Sequence, residues 1–193
     1  MASTWFTSDY HLGHRNIIRL CERPFADVEA MDQAIIERHN ACVGNADTVY
    51  DLGDFAFRCT AEYAVACLHR LNGRRQILLG NHDKPLRQAF KRGLLDGLLD
   101  SGQLTIVGDT DPRMQTALRV SIEGQEIVLA HFAQRSWHSA FRGTWHLYGH
   151  SHGNLSPFRK SMDVGVDVHQ FRPVSFSDLQ TRMAEVQEPF SEG

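Results

Sequence analysis

No apolar run in this sequence approaches the roughly 20 residues that a membrane-spanning helix needs. The first residues, "MASTWFTSDYHLGH", lack a basic segment followed by an apolar one, so no secretory leader is read there and the expected location is the cytoplasm. Cysteine is sparse and unpaired in pattern: Cys21, Cys42, Cys59 and Cys67 form no CxxC. A chain of 193 residues can bury a core without covalent staples, so these four read as free thiols of a reducing compartment. A zinc knot built from them is disfavoured for want of ligand spacing. Also missing is any surplus of positive charge. Lysine and arginine number 20 against 23 aspartates and glutamates, a net charge of -3. That balance implies no nucleic-acid groove and disfavours long nucleic acid, although a local basic loop would reverse the argument. Internal repeats, linkers and low-complexity stretches are absent too, so residues 1–193 are expected to form a single domain.

What the sequence does have is a series of short β-type runs that end in polar residues. "TWFTSD" stops at Asp9, "DTVYDLGD" at Asp54, and "RQILLGNHD" at Asn81, His82 and Asp83. Between them lie helical patterns. "RNIIRLC" is one. Asp27 to Val43 is another, with Asp27 as N-cap and Gly44 as stop. Thr60 to Gly73 starts on a Thr cap and ends on Asn72-Gly73. Pro85 to Asp100 contains two glycines and divides into two short helices. The alternation argues an α/β sheet covered by helices. After residue 100 the pattern becomes β-rich: "LTIVG", "MQTALRVSIEG", "QEIVLAH", "TWHLYGHSHG" and "SMDVGVDV", with Glu123-Gly124 as a hairpin turn. This half is expected to form a second sheet of the same domain. The tail from Pro189 to Gly193 reads as frayed.

The polar residues recur at one place in the pattern. Asp9 and His11, Asp54, Asn81 with His82 and Asp83, His131, and His150 with His152 each follow an apolar β segment. In an open α/β sheet that end of the strands is where sites are built. Gly13, Gly53, Gly80, Gly149 and Gly153 stand beside them and allow sharp turns and close approach. One Asp-x-His or Gly-Asp would mean little, but five such blocks behind five strands constitute a site. Carboxylate and imidazole together select Zn, Mn or Fe over Mg or Ca. An aspartate can bridge two ions, and two ions about 3.5–4 Å apart can activate water and clamp phosphate oxygens. His150 and His152 alternate along an extended run, which can send them to different ions if the turn bends.

Those residues carry a resemblance. Asp9-Tyr10-His11, Gly53-Asp54, Gly80-Asn81-His82-Asp83, His131 and Gly149-His150-Ser151-His152 resemble, in order and rough spacing, the motif set of the calcineurin-like metallophosphoesterase superfamily, in particular its small bacterial and phage members. The resemblance extends from Asp9 to His152. It implies a four-layer α/β/β/α sandwich of two mixed sheets flanked by helices. It implies two divalent metal ions, Mn first, with Fe, Zn, Co or Ni as alternatives. Asp9, His11 and His152 would hold one ion, Asn81, His131 and His150 the other, and Asp54 would bridge them. A hydroxide between the ions would attack a phosphate mono- or diester, with His82 as general acid and Asp83 orienting His82. A metal-dependent nuclease, a cyclic-nucleotide phosphodiesterase and a non-catalytic scaffold with the same fold are the alternatives.

Substrate contacts rest on residue type alone. The expected partner is a small phosphorylated molecule, a nucleotide among the candidates, and oligomeric state is unreadable. "HFAQRSWHSAFRGTWH" is expected to loop over the site, with Arg135 ranked first as a phosphate grip, Arg58 second and Lys84 third. His14 is taken as a residue near the metal ligands or on the substrate side. Asp163 and Asp167 read as strand-edge or turn residues, and His169 has no assigned role.

Overall fold

The computed structural model describes residues 2–108 and 116–186. Met114 and Gln115 of the expected fifth strand, and the tail from Pro189 to Gly193, lie outside the described residues. The chain begins with β1 (Thr4–Thr7), α1 (Arg15–Leu20), α2 (Val28–Cys42), β2 (Thr48–Asp51), α3 (Ala61–His69) and β3 (Arg74–Ile77). It continues with α4 (Lys84–Lys91), α5 (Asp96–Asp100), β4 (Leu104–Ile106), β5 (Ala117–Ile122), β6 (Gln125–Ala130), β7 (Trp145–Tyr148) and β8 (Ser161–Asp163). It closes with β9 (Val174–Ser175) and α6 (Phe176–Ala184). The helix starts follow their caps: Asp27 accepts from Ala30 N–H at 2.8 Å and Thr60 from Tyr63 N–H at 3.1 Å. Glu123 and Gly124 adopt φ of 51° and 84°, the left-handed pair that turns a tight hairpin between β5 and β6.

Two mixed sheets form an α/β sandwich. The first has the order β4-β3-β2-β1-β9, its first four strands parallel and β9 antiparallel to β1. The second has the order β5-β6-β7-β8, antiparallel only between β5 and β6. One core, including Leu12, Met31, Ile35, Phe55, Ile77 and Leu86, fills the space between the first sheet and helices α1 to α5. A second core, including Phe6, Leu52, Leu78, Ile127, Leu129 and Leu147, joins the sheets. The outer face of the second sheet is covered thinly, by Trp137 and Ala140 packed on Val128.

Three departures from the sequence reading have local causes. β4 belongs to the first sheet, paired in parallel with β3, and not to the second. "SMDVGVDV" is a strand only to Asp163, after which Val166–Val168 form a 3-10 turn. The sequence reading contained neither β9 nor α6. Ser175 caps α6 by accepting from Asp178 N–H at 3.0 Å, and Phe176, Leu179 and Met183 join the inter-sheet core.

Candidate metal centre

The loops that leave the C-terminal ends of β1, β2, β3, β6 and β7 meet at one place. Asp9 N–H donates to Gly53 carbonyl and His11 N–H to Asp54 carbonyl, both at 2.9 Å, which ties the first loop to the second. Gly149 N–H donates to His131 carbonyl at 3.0 Å, and His150 N–H to Asp9 Oδ2 at 2.8 Å. Asp9, His11, Asp54, His150 and His152 all lie in the left-handed backbone region, with φ between 47° and 64°. Such a conformation costs a non-glycine residue about 1–3 kcal/mol. Five of them in one cluster mean that the surrounding contacts impose the geometry. The glycines make room for this convergence. A Cβ on Gly80 would collide with the Asp54 carboxylate and lie 2.8 Å from the His131 ring, and one on Gly149 would strike Ser8 and Asp9.

Two groups of ligand-type atoms adjoin Asp54, and a third, Cys21, His152 and Asp167, shares His152 with the first of them. Asp9, His11 and His152 form one, with ligand atoms within 4.8 Å of one another; Asp54, His131 and His150 form the other. Asp54 lies between them: its Oδ2 is 3.7 Å from His11 Nε2 and 3.4 Å from His131 Nε2. Its Oδ1 accepts from His82 N–H at 2.8 Å. His131 Nδ1 donates to Leu52 carbonyl at 2.9 Å, which directs Nε2 toward Asn81 Oδ1 at 3.0 Å. A bound cation would take the place of the Nε2 proton beside these two atoms.

The same demand shows in the first group. Asp9 Oδ1 and His11 Nε2 are buried, lie 3.8 Å apart, and have no hydrogen-bond partner among the described residues. An unsatisfied buried polar atom ordinarily costs about 1–3 kcal/mol. Two acceptor-capable atoms facing one another fit a divalent ion, and the mixed N and O donor set suits the first-row metals.

Charge in the cluster is strongly redistributed. Burial pushes the Asp9 carboxyl up to about 7 against the pull of His131 and His152. Burial would also raise Asp54, but the hydrogen bond and charge of His131, together with His11, outweigh it and hold Asp54 below the usual carboxylate range. For His131, burial is overcome by Asp54 and the imidazole rises to about 9. His11 is lowered well below its ordinary value by burial. Opposed shifts among neighbouring groups in a cleft are characteristic of functional sites.

Asp167, read from sequence as a turn residue, belongs to this centre. Its Oδ2 accepts from His152 Nδ1 at 2.7 Å, which turns the Nε2 lone pair of His152 to other use. Burial is overcome by this bond, and the His152 imidazole rises to about 10. Arg23, also absent from the sequence reading, grips Asp167 with Nε and Nη2 at 2.8 Å each and donates to the carbonyls of Asp9 and Tyr10. Asp163 accepts from Ser151 Oγ, Gly153 N–H and Gly165 N–H and shapes the loop that carries His150 and His152. His169 donates to the Asp163 carbonyl at 2.9 Å.

Other expected site residues divide. The His82 ring is half-buried, packs against Phe57 at a 44° tilt with centroids 4.2 Å apart, and lies 5.7 Å from the His11 ring. Asp83 does not orient it. The Asp83 carboxylate accepts from Asp54 N–H and Gly80 N–H at 2.8 Å each and from Ala56 N–H at 3.3 Å, so its lone pairs are spent on backbone. His14 is buried behind His11, with the two Nδ1 atoms 3.3 Å apart and Phe57 edge-on to its ring, so it packs in support of His11. Arg58 is exposed and stands 5.4 Å over Phe57, on the His82 side of the centre. Arg135 lines a groove with Phe158 and Tyr148. Lys84 is exposed at the start of α4.

No protein-family model matches the chain. MJ1445, an uncharacterized protein of Methanocaldococcus jannaschii, is 31% identical over 193 aligned residues, spanning 96% of this chain and 93% of that protein. The gene 66 protein of Mycobacterium phage D29 is 30% identical over 187 residues, 88% of this chain and 87% of its own. The chain belongs to the family of these two proteins. A shorter match, 39% identical over 88 residues, joins 44% of this chain to 42% of the gene 66 protein of Mycobacterium phage L5. The crystal structure of AQ665 from Aquifex aeolicus, a protein of unknown function, shares the fold at 20% identity with a TM-score of 0.68, over 94% of this chain and all of that one.

Proposed function

We propose that the chain is a dimetal phosphoesterase of the calcineurin-like type, hydrolysing phosphate mono- or diesters. The observation that carries the reading is Asp54, whose Oδ2 stands within 3.7 Å of an imidazole nitrogen from each of the two ligand groups. Asp9, His11 and His152 would hold one divalent ion, and Asn81, His131 and His150 the other. Mn is the first candidate, with Fe, Zn, Co or Ni also suited to these donors. When bound, the ions supply a nucleophilic water at neutral pH and polarise the phosphoryl oxygens.

The chain's own residues do the rest. His131 is fixed as its Nδ1–H tautomer by Leu52, and His152 by Asp167, so each presents Nε2. His82, packed at a tilt against Phe57 and 5.7 Å from the His11 ring, delivers a proton to the leaving oxygen as the P–O bond breaks. Arg58, 5.4 Å from the Phe57 ring against which His82 packs, steadies the phosphate charge. Among the described residues no helix is long and apolar enough to cross a membrane, and a cytoplasmic setting goes with cysteines that are all unpaired.

The test is hydrolysis of p-nitrophenyl phosphate and bis-p-nitrophenyl phosphate by protein stripped of metal and reloaded with Mn, beside Asp54→Asn. Mn-dependent turnover that the variant lacks is the expected result, and the ratio of the two rates gives the ester preference. Near-normal turnover in Asp54→Asn, or silence on both esters by protein that binds no metal, overturns the reading.

A further inference from the structure

The outer face of the second sheet carries positive charge and exposed rings that the metal centre does not use. Arg119, Val128, His146 and Ser161 are register partners across this face, with Val128 turned away from the inter-sheet core. From Ile127 to Met162 the chain has no aspartate or glutamate, yet it has Arg135, Arg142, Arg159 and Lys160. In a chain of net charge -3 this is a local reversal of sign. Rings and guanidinium groups alternate there. Arg135 stands 5.4 Å and Arg159 5.6 Å from the Phe158 ring, and Arg159 is 4.4 Å from Phe141. Phe141 is 66% exposed and Phe158 37%.

Two grooves adjoin this ridge. One, of about 470 Å³, is bounded by Arg135, Phe158, Tyr148, Asn154 and Leu155. Its walls continue the metal-binding loops, since Ala133 follows closely on His131 and Asn154 on His152. The other, of about 460 Å³, is bounded by Arg119, His138, Arg142 and Lys160, the last two being chain neighbours of Phe141 and Arg159. Glu126 is its one carboxylate and lies 3.6 Å from Arg119.

We infer that this face is a track for single-stranded nucleic acid leading to the metal centre. Basic side chains along two grooves exceed what one phosphate requires and match a repeating backbone charge. Phe141 and Phe158, exposed and flanked by guanidinium groups, offer ring and guanidinium planes for stacking to unpaired bases of any sequence, which a duplex keeps to itself. The net charge of the whole chain conceals the feature. The inference deepens the phosphoesterase reading and rests on it for the chemistry, while the binding it asserts is measurable without catalysis.

The experiment is fluorescence anisotropy with a labelled oligothymidylate of about 12 nucleotides, within the roughly 4–16 nucleotide span of such sites. It is run in EDTA so that no strand is cut, over a series of salt concentrations. The wild-type chain should bind, with log K falling against log salt by about 0.7 for each phosphate contacted. Arg142→Glu should weaken binding about tenfold and flatten the salt slope. Phe141→Ala should weaken it roughly fivefold or more with the slope kept, and its high exposure makes misfolding no explanation. The reversal Lys91→Glu, at the exposed last residue of α4, should change little. No binding by the wild-type chain, equal binding of a duplex, wild-type affinity in both track variants, or an equal loss in Lys91→Glu overturns the inference. Bis-p-nitrophenyl phosphate hydrolysis by the wild-type chain is read in parallel. Strand binding without ester cleavage sinks the phosphoesterase reading and leaves the track, and the converse sinks the track alone.

Discussion

His152 Nδ1 and Asp167 Oδ2 are 2.7 Å apart, and Arg23 holds the same carboxylate from the other side with two bonds of 2.8 Å. Arg23 also reaches the carbonyls of Asp9 and Tyr10, so one guanidinium links the first motif to the last. Orientation of a metal-ligand histidine by a carboxylate is commonly worth about 10- to 100-fold in metal affinity. Asp167→Asn should therefore weaken Mn binding by that factor in equilibrium dialysis, with turnover recovered at high Mn. Unchanged affinity in the variant would reduce Asp167 to a structural partner of Arg23.

His82 should matter for turnover and not for metal. Its backbone N–H holds Asp54, and that bond survives truncation of the side chain. His82→Ala should lower kcat by about 10²- to 10⁴-fold, the usual worth of a positioned acid. Metal content by elemental analysis should remain that of wild type. Loss of an ion in this variant would make His82 a ligand.

Much of the centre was legible in the sequence because parallel strands deliver their C-terminal ends to one edge. Asp9, Asp54, Asn81, His131, His150 and His152 could be placed from apolar runs and the residues that end them. Asp167 and Arg23 could not. Asp167 pairs with a side chain 144 positions away, and no local pattern distinguishes a carboxylate so used from one in an ordinary turn. The role of Asp83 failed for a related reason: adjacency to His82 suggested a side-chain partner, while the fold spends the carboxylate on backbone N–H groups brought in from β2 and β3. α6 escaped because its buried residues, Phe176, Leu179 and Met183, span only about two turns, too short a period to stand out from the preceding β-rich stretch. The basic face was invisible in a total charge of -3, because sign reversal over one segment cancels in the sum.

Asp83 now makes a different prediction. With three backbone donors on its carboxylate, Asp83→Asn sets an amide NH₂ against at least one buried N–H, at a cost of about 1–3 kcal/mol. The urea midpoint should fall with the m-value unchanged. Metal affinity should fall with it, since the Asp54 N–H is among the donors. If instead kcat alone dropped to the level of His82→Ala, with stability intact, Asp83 would be orienting His82 after all.

The last prediction concerns pH and lies away from the ligands. His39 is fully buried, accepts from Tyr10 Oη at 2.6 Å through Nδ1, and donates Nε2–H to Asn72 carbonyl at 2.9 Å. Burial, with the Arg75 charge behind it, lowers its pKa from 6.5 to about 3. Between those values the unfolded chain binds a proton that the folded chain refuses. Stability from this group is therefore complete above pH 6.5 and is lost progressively as the pH falls toward 3, with a slope approaching about 1.4 kcal/mol per pH unit. His39→Gln keeps an acceptor for Tyr10 and a donor for Asn72 but cannot titrate. Urea unfolding of metal-free protein should show a shallower decline with acidity for His39→Gln than for wild type. Some slope should persist, because His146 and His169 are also lowered by burial. Parallel declines in the two proteins would mean that His39 is charged in the fold, with Tyr10 as acceptor.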